Sequence, residues 1–199
     1  LIFNDINFLF KDASGVFWAG TNRGLSSFDP INEGIMGIGP SGNLETGIPS
    51  PNVWCFAEEI KTSCIYIGTD LGVSKYNRQT GKFEQYYRNR NLKNVEEGEE
   101  TTVLSLYVLN DKQLLVGCMD GFFRLDIYSK TAYSFTKISF EKGLESDKNN
   151  KVYTIVKYKD EQFFLGTKSG VVLYDLAKKS AQFFEHDAKN SSSTITSGS

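Results

Sequence analysis

Few residues in this chain of 199 could perform catalysis. The single histidine, His186, follows the letters AQFF in a polar segment, where we expect a solvated loop residue and not part of a Ser-His-Asp or Cys-His arrangement. Glu96, Glu97, Glu99 and Glu100 could supply a general acid and a general base, but clustered like charges favour an exposed loop. The chain is therefore predicted not to be an enzyme.

The cysteines do not indicate a metal site. Cys55, Cys64 and Cys118 make an odd count and lack a Cys-x-x-Cys spacing, so they predict neither zinc nor a disulfide framework. Cys55 and Cys64 could face each other across a hairpin, although buried free thiols are the favoured interpretation. No metal and no cofactor is predicted.

Side chains able to hold a saccharide lie in or near four glycine-containing motifs. Sugars are bound by aromatic faces against their C–H surfaces and by planar amide, carboxylate or guanidinium groups on their hydroxyls. The candidates at the motif tips are Asn22, Arg23, Asp70, Asp120 and Lys168. Trp54 and Tyr153 could supply the aromatic faces. The alternative is that the tips are only solvated and that these two aromatic residues pack inside the fold.

The four motifs are copies of one repeat. They read WAGTNRGLSSFD, YIGTDLGVSKYN, LVGCMDGFFRLD and FLGTKSGVVLYD. Their first glycines, Gly20, Gly68, Gly117 and Gly166, are separated by 48, 49 and 49 residues. A constant period of this size indicates a repeat architecture. The motifs lack the Lys-Ser/Thr ending of a phosphate-binding loop, so they predict turns and not a nucleotide site.

Each repeat contains short apolar runs of strand length, such as INFLF, VFWAG and LSSFD, bounded by Gly, Asp, Asn or Ser. This pattern predicts four antiparallel strands per repeat. The turn KDASG joins the first two strands, with Asp12 bonding back to the backbone and Gly15 taking a positive φ. The Gly-Thr-x-x-Gly turn joins the second and third strands. Trp18, beside this turn, is expected to pack in the core.

Four-stranded sheets at this period predict an all-β fold, a β-propeller built of four-stranded antiparallel blades. The predicted blades are residues 1–47, 48–98, 99–147 and 148–199. A sandwich is the alternative fold, but its strands have no reason to repeat at a constant period. We expect the four blades to be part of a larger propeller, with a closed four-bladed ring as the alternative.

The composition agrees with a folded domain and argues against nucleic acid and membranes as partners. Hydrophobic residues make up 40% of the chain and aromatic residues 14%, while 22 basic and 24 acidic residues give a net charge of -2. No basic patch predicts nucleic acid, and no apolar run approaches the roughly 20 residues that span a bilayer, so no membrane contact is predicted. The abrupt start and end lead us to expect a piece of a longer protein.

The motifs FKDASGVFWAGTNRGL and IYIGTDLGV resemble the two-component regulator propeller repeat. That repeat builds the periplasmic sensor region of Bacteroides-type hybrid two-component system histidine kinases. The resemblance covers all four predicted blades and implies that they are part of a seven-bladed propeller. The third blade departs from it, with Cys118 in place of Thr, Phe122 in place of Leu or Val, and a first turn reduced to NDKQ.

The resemblance implies a non-enzymatic, periplasmic sensor of an oligosaccharide, in a protein that forms a homodimer and regulates glycan-utilisation genes through a histidine kinase. Its partners would be the ligand, the remaining propeller blades and the downstream sensor domains. The alternative function is a propeller scaffold that binds a protein partner. A propeller lyase or hydrolase is disfavoured because no histidine-rich or metal-binding cluster is visible.

Overall fold

The structure is a computed structural model that describes residues 1–43, 45–87, 102–140, 151–185 and 196–197. All the regular secondary structure in these ranges is β-strand. Within the same ranges there is no helix with the length and apolar character needed to cross a membrane.

The strands form four antiparallel sheets, each built in chain order. The first contains β1 (Ile6–Lys11), β2 (Phe17–Thr21), β3 (Gly24–Asp29) and β4 (Gly34–Ile38). The second contains β5 (Val53–Glu59), β6 (Cys64–Thr69), β7 (Gly72–Asn77) and β8 (Lys82–Tyr87). The third contains β9 (Val103–Asn110), β10 (Gln113–Cys118), β11 (Gly121–Ile127) and β12 (Tyr133–Lys137). The fourth contains β13 (Val152–Lys159), β14 (Gln162–Thr167), β15 (Gly170–Asp175), β16 (Ser180–Glu185) and the short β17 (Thr196–Ser197).

These sheets are the blades of a propeller, which confirms the predicted fold class. The first strand of each blade is innermost, because β1 contacts β5, β5 contacts β9 and β9 contacts β13. The fourth blade differs from the prediction in one respect, since β17 pairs with the outer edge of β16 and adds a fifth strand. The blade boundaries and the seven-bladed ring stay predictions.

The core lies between neighbouring blades. Three apolar clusters fill the gaps between the first and second, second and third, and third and fourth blades. Trp18 belongs to the first of them and is only 2% exposed, which confirms its predicted core position. A blade of this kind is thus stabilised by the faces of its neighbours and not by a core of its own.

The predicted turns are present. Asp12 Oδ1 accepts hydrogen bonds from the backbone N–H groups of Ser14 (2.9 Å) and Val16 (3.1 Å), and Gly15 has a φ of 93°. The last glycine of each Gly-Thr-x-x-Gly position also has positive φ, between 124° and 144°. A side chain at these positions would strain the backbone.

The three cysteines are buried free thiols, as favoured from the sequence. The alternative, Cys55 facing Cys64 across a hairpin, is wrong. In the β5–β6 register Cys55 lies opposite Gly68, whereas Cys64 lies opposite Glu59 at the other end of the pair. Burial raises the pKa of Cys55, as does the nearby Cys118 thiol, so the thiol stays protonated and unreactive.

Candidate functional site

A β-bulge interrupts the innermost strand of every blade at the same place. In each case the register with the neighbouring strand skips one residue beside the Gly-Thr pair, or beside Gly-Cys in the third blade. The skipped residues are Asn7, Trp54, Leu104 and Tyr153. A bulge leaves its extra residue unpaired and re-aims the side chain, and such positions are frequent next to functional sites.

Hydrogen bonds between blades bring these four positions to one end of the fold. Asn7 Nδ2 donates to the Val53 carbonyl at 3.1 Å, and the Cys55 thiol donates to the Val103 carbonyl at 3.7 Å. Ser105 Oγ donates to the Val152 carbonyl at 3.4 Å. Each inner strand therefore begins beside the bulge of the preceding blade, and the four bulges form a row.

The Gly-Thr-x-x-Gly turns close over the same end. Thr21 Oγ1 donates to the Gly24 carbonyl at 2.8 Å and accepts from the Arg23 N–H at 3.0 Å. Thr69 and Thr167 make the same pair of bonds in the second and fourth blades. These bonds fix the residue after each threonine, so the turn tip has a defined position beside the bulge.

The second blade holds a cluster of side-chain hydrogen bonds at this end. Trp54 Nε1 donates to Asp70 Oδ1 at 2.6 Å, while Asn52 Nδ2 donates to Asp70 Oδ2 at 2.5 Å. Ser50 Oγ and Thr102 Oγ1 each approach the same carboxylate at 3.4 Å. The structure thus joins two predicted site residues, but Asp70 accepts from the protein itself. Its role in this arrangement is to hold the indole of Trp54, whose side chain is half-buried.

The first blade has an amide pair in the same place. Asn7 Nδ2 donates to Asn22 Oδ1 at 2.7 Å, and Asn22 Nδ2 donates to Asp5 Oδ2 at 2.5 Å. Arg23 is exposed, and its guanidinium carbon lies 4.5 Å from the centre of the Phe3 ring. This arrangement is a cation–π contact that holds the arginine side chain over the tip.

The other candidates lie on the later blades. Tyr153 occupies the fourth bulge and is 49% exposed. Lys168 is exposed at the tip of the same blade, where its backbone N–H donates to the Lys151 carbonyl at 3.3 Å. Asp120 is half-buried in the third tip. All seven predicted residues therefore lie at one end of the blades, although binding of a ligand by them stays a prediction.

Sequence reasoning missed part of this end. Asn7 and Leu104 share the bulge position of Trp54 and Tyr153, and Asn52 completes the Asp70 cluster. The signal for the first two was available, because each lies at nearly the same distance before the first glycine of its repeat as Trp54 and Tyr153 do. A signal for Asn52 was present as well, because the first repeat also has a polar residue two positions before the bulge, Asp5, which accepts a hydrogen bond from the tip residue Asn22.

The last features of the site are the side chains that could bind a metal ion or act in catalysis. In the part of the chain that the structure describes, no three His, Cys, Asp or Glu side chains group together as they would around a metal ion. His186 and the acidic run at Glu96, Glu97, Glu99 and Glu100 lie outside the described residues.

Comparison with known proteins rests on structure. No protein-family model matches the chain, and no curated protein sequence matches it. The extracellular domain of BT4673, a protein assigned to a hybrid two-component system of B. thetaiotaomicron, aligns with a TM-score of 0.72 over 96% of this chain at 19% identity. The corresponding domain of BT3049 from the same organism aligns with a TM-score of 0.58 over 99% of this chain at 15% identity.

A propeller from a different setting is also similar. The WD40 repeats of RRP9 align with a TM-score of 0.63 over 91% of this chain at 12% identity. The chain spans only 23% of the BT4673 structure, 30% of the BT3049 structure and 51% of the RRP9 structure. At these identities the likeness concerns the backbone. The comparisons therefore identify the described residues as blades of the β-propeller fold shared by these extracellular domains and by the WD40 repeats of RRP9.

Proposed function

We propose that this chain is part of the ligand-sensing propeller of a hybrid two-component system, with the row of bulges and turn tips as its binding surface. The observation that carries the proposal is the Trp54 indole, which a bulge turns out of the sheet and Asp70 anchors at 2.6 Å. An aromatic ring fixed by its polar edge presents an ordered apolar face, which is the geometry that stacking on a ligand requires.

The ligand class that fits this surface is a neutral oligosaccharide. Tyr153 adds a second accessible ring, and Asn22 and Asn7 add planar amides in the same row. Aromatic faces match the C–H surfaces of sugar rings, whereas amides match their hydroxyls. The mixture of Arg23, Lys168 and Asp120 at the tips does not favour ligands of one charge.

Location and partners follow from the same proposal. The two B. thetaiotaomicron neighbours are described as extracellular domains, which supports a periplasmic location for this chain. Its partners would then be the oligosaccharide, the remaining blades, the downstream sensor domains and a second copy of the parent protein. In this role the chain is not an enzyme, and the bound ligand regulates glycan-utilisation genes by favouring one arrangement of the histidine kinase dimer.

Calorimetric titration of the complete extracellular region against oligosaccharides of different linkage tests the ligand. We expect saturable binding to one linkage class, a loss of at least about tenfold in affinity for Trp54→Ala, and a smaller loss for Asp70→Ala, which frees the indole. Tyr128→Ala is the matched control, because Tyr128 is 71% exposed in the turn at the opposite end of its blade.

Two other outcomes would change the conclusion. Binding that Trp54→Ala leaves intact would place the ligand away from these bulges. Absence of binding across the whole panel, together with a protein captured by the same surface, would favour the scaffold function instead.

A further inference from the structure

A second cluster of polar side chains lies at the end of the second blade away from the turn tips. It surrounds a pocket of about 230 Å³, which is lined by Lys75, Asn77, Thr80, Lys82, Glu84 and Lys130. Strand β7 begins at Gly72 beside the turn tip and ends at Asn77, so the β7–β8 turn lies at the opposite end of the blade. The pocket is therefore separate from the row of bulges and turn tips.

Four of the lining residues form two cross-strand pairs. Lys75 lies opposite Glu84 and Asn77 lies opposite Lys82 in the β7–β8 register. Side chains two positions apart on a strand point to the same side of the sheet, so all four share one face. That face meets the third blade, since Lys130 Nζ in the β11–β12 turn lies 3.7 Å from Glu84 Oε1. The pocket thus lies between the outer strands of the second blade and a turn of the third.

The lining carries more positive than negative charge. Its three ammonium groups and one carboxylate give a net charge of +2. The carboxylate is already engaged, because Glu84 Oε2 accepts from the Tyr86 hydroxyl at 2.7 Å while Oε1 lies beside Lys130. A dianion would therefore neutralise the pocket.

Two of the ammonium groups lack a strong ionic partner. Lys75 is half-buried with its Nζ 5.8 Å from the centre of the Tyr66 ring, and among the described residues no carboxylate lies within salt-bridge distance of it. Lys82 Nζ lies 3.9 Å from Glu45 Oε2, in a pair whose side chains are 63% and 61% exposed. Such an exposed pair contributes little to stability, so both lysines can bind an anion without breaking a strong contact.

The second blade also lacks an acidic residue that the other blades have at this corner. The four glycine-containing motifs end in Asp29, Asn77, Asp126 and Asp175. A carboxylate at position 77 would lie in the pocket, opposite Lys82 in the register, and would offset one of its positive charges. The amide leaves the pocket without that negative charge.

The turn itself does not require an amide. Asn77 Oδ1 accepts hydrogen bonds from the backbone N–H groups of Gln79 at 2.9 Å and Thr80 at 3.0 Å. Asp29 Oδ1 accepts the equivalent bond from the Ile31 N–H at 2.9 Å, so a carboxylate forms the same turn. The amide adds Nδ2, a donor that has no acceptor among the described residues. Asn77 therefore places a donor in the pocket where the other blades have an acceptor.

We propose that this pocket binds a doubly charged oxyanion, a sulfate or phosphate group, through its three lysine ammonium groups and the Asn77 amide. Hydrogen bonds from ammonium groups to oxyanions are charge-assisted and stronger than neutral ones. Lys130 belongs to the third blade and the other donors belong to the second, so the bound anion joins the two blades. The site lies away from the surface assigned to the oligosaccharide and does not depend on that assignment.

Equilibrium dialysis of the full-length protein with radiolabelled sulfate or phosphate tests the site, at an ionic strength held constant with sodium chloride. We expect saturable binding and competition between the two ions. Asn77→Asp keeps the acceptor of the turn but places a carboxylate in the pocket, so it should weaken binding at least about tenfold. Lys75→Met keeps the stem over the Tyr66 ring and removes the charge, and it should weaken binding as well. Lys178→Met is the matched control, because it removes an exposed lysine from the equivalent turn of the fourth blade.

Two results would overturn the proposal. One is the absence of saturable binding of either ion, and the other is binding that Asn77→Asp and Lys75→Met leave unchanged. Dialysis with glucose phosphate separates the two sources of the group. Tighter binding of the ester than of free phosphate would support a sugar-linked anion at this site, and weaker binding would support the free ion. Trp54→Ala should leave anion binding unchanged, so failure of this proposal is distinguishable from failure of the oligosaccharide proposal.

Discussion

Charged side chains are buried between the first and second blades, whereas the ion pair between the second and third blades, Lys130 Nζ to Glu84 Oε1 at 3.7 Å, has its lysine 60% exposed. Arg78 Nη1 donates to Asp12 Oδ2 at 2.8 Å, and its Nη2 donates to Glu58 Oε1 at 2.6 Å. The Asp12 side chain is fully buried and also accepts from Trp18 Nε1 at 2.8 Å. One arginine therefore joins a buried carboxylate of the first blade to a carboxylate of the second.

The buried centre of the next interface is apolar. Leu114, Val116 and Leu125 are completely buried in it. One of its polar contacts is neutral, with the Tyr66 hydroxyl donating to the Asp111 carbonyl at 3.2 Å. The first interface uses a side-chain carboxylate in the turn between the first two strands of its earlier blade, whereas the second uses a backbone carbonyl in that turn of its later blade. The polar contacts at successive interfaces thus differ in both position and chemistry.

Removing apolar volume should have the largest effect. Leu114→Ala leaves a cavity between the second and third blades and should lower the free energy of unfolding by about 3 kcal/mol. Ile65→Ala at the first interface is the matched variant, because Ile65 is also 0% exposed. Chemical denaturation measures both. A loss below about 1 kcal/mol for Leu114→Ala would mean that the second interface does not depend on packing.

Removing Arg78 should have the second-largest effect on the free energy of unfolding. Arg78→Ala leaves the Asp12 carboxylate without its cation, although the N–H donors of Ser14, Val16 and Trp18 remain. We expect a loss of about 2 kcal/mol in the free energy of unfolding. The control is Arg124→Ala, since Arg124 pairs with Asp126 inside one blade and its side chain is 41% exposed. For Arg124→Ala the loss should stay below about 1 kcal/mol. Equal losses for the two variants would mean that the ion pair between the blades stabilises the protein no more than an exposed pair within one blade.

Removing one hydroxyl should have a smaller effect. Tyr66→Phe deletes the bond to the Asp111 carbonyl and keeps the ring, so we expect a loss of about 1 kcal/mol in the free energy of unfolding. The same denaturation experiment measures it. A loss as large as that of Arg78→Ala would show that the second interface also depends on a polar contact.

The smallest predicted effect is that of acid, which should weaken the first interface through Asp12. Burial raises the pKa of Asp12, but hydrogen bonds from Ser14 and Trp18, the charge of Arg78 and the Val16 N–H together hold it below its ordinary value of 3.8. A lowered carboxyl pKa contributes stability above the unfolded pKa, and that contribution is lost as the pH falls through the folded pKa.

We therefore expect no change from this group between pH 7 and pH 5 and a decrease below about pH 4. Thermal unfolding of the wild type and of Asp12→Asn across this range measures it. The difference in melting temperature between the two proteins should shrink as the pH falls. A constant difference would mean that the Asp12 charge does not stabilise the interface.

The sequence predicted the parts of the fold that repeat. The period of the glycines and the turn around Asp12 follow from local chemistry, and both are visible in one repeat at a time. Arg78 was not predicted as a partner of Asp12, because that contact joins residues 66 positions apart and occurs at a single interface. The role of Asp70 was predicted only in part, since the letters show a carboxylate at a tip but not the donors that surround it.

The bulge positions tolerate exchange of their side chains. A residue that is skipped by the register contributes little to the ladder, so its side chain can be exchanged without weakening the sheet. The four copies already hold an amide, an indole, an isobutyl group and a phenol at this one position. Substitutions at these positions would therefore change the surface of this end one blade at a time, while the glycines beside them preserve the architecture.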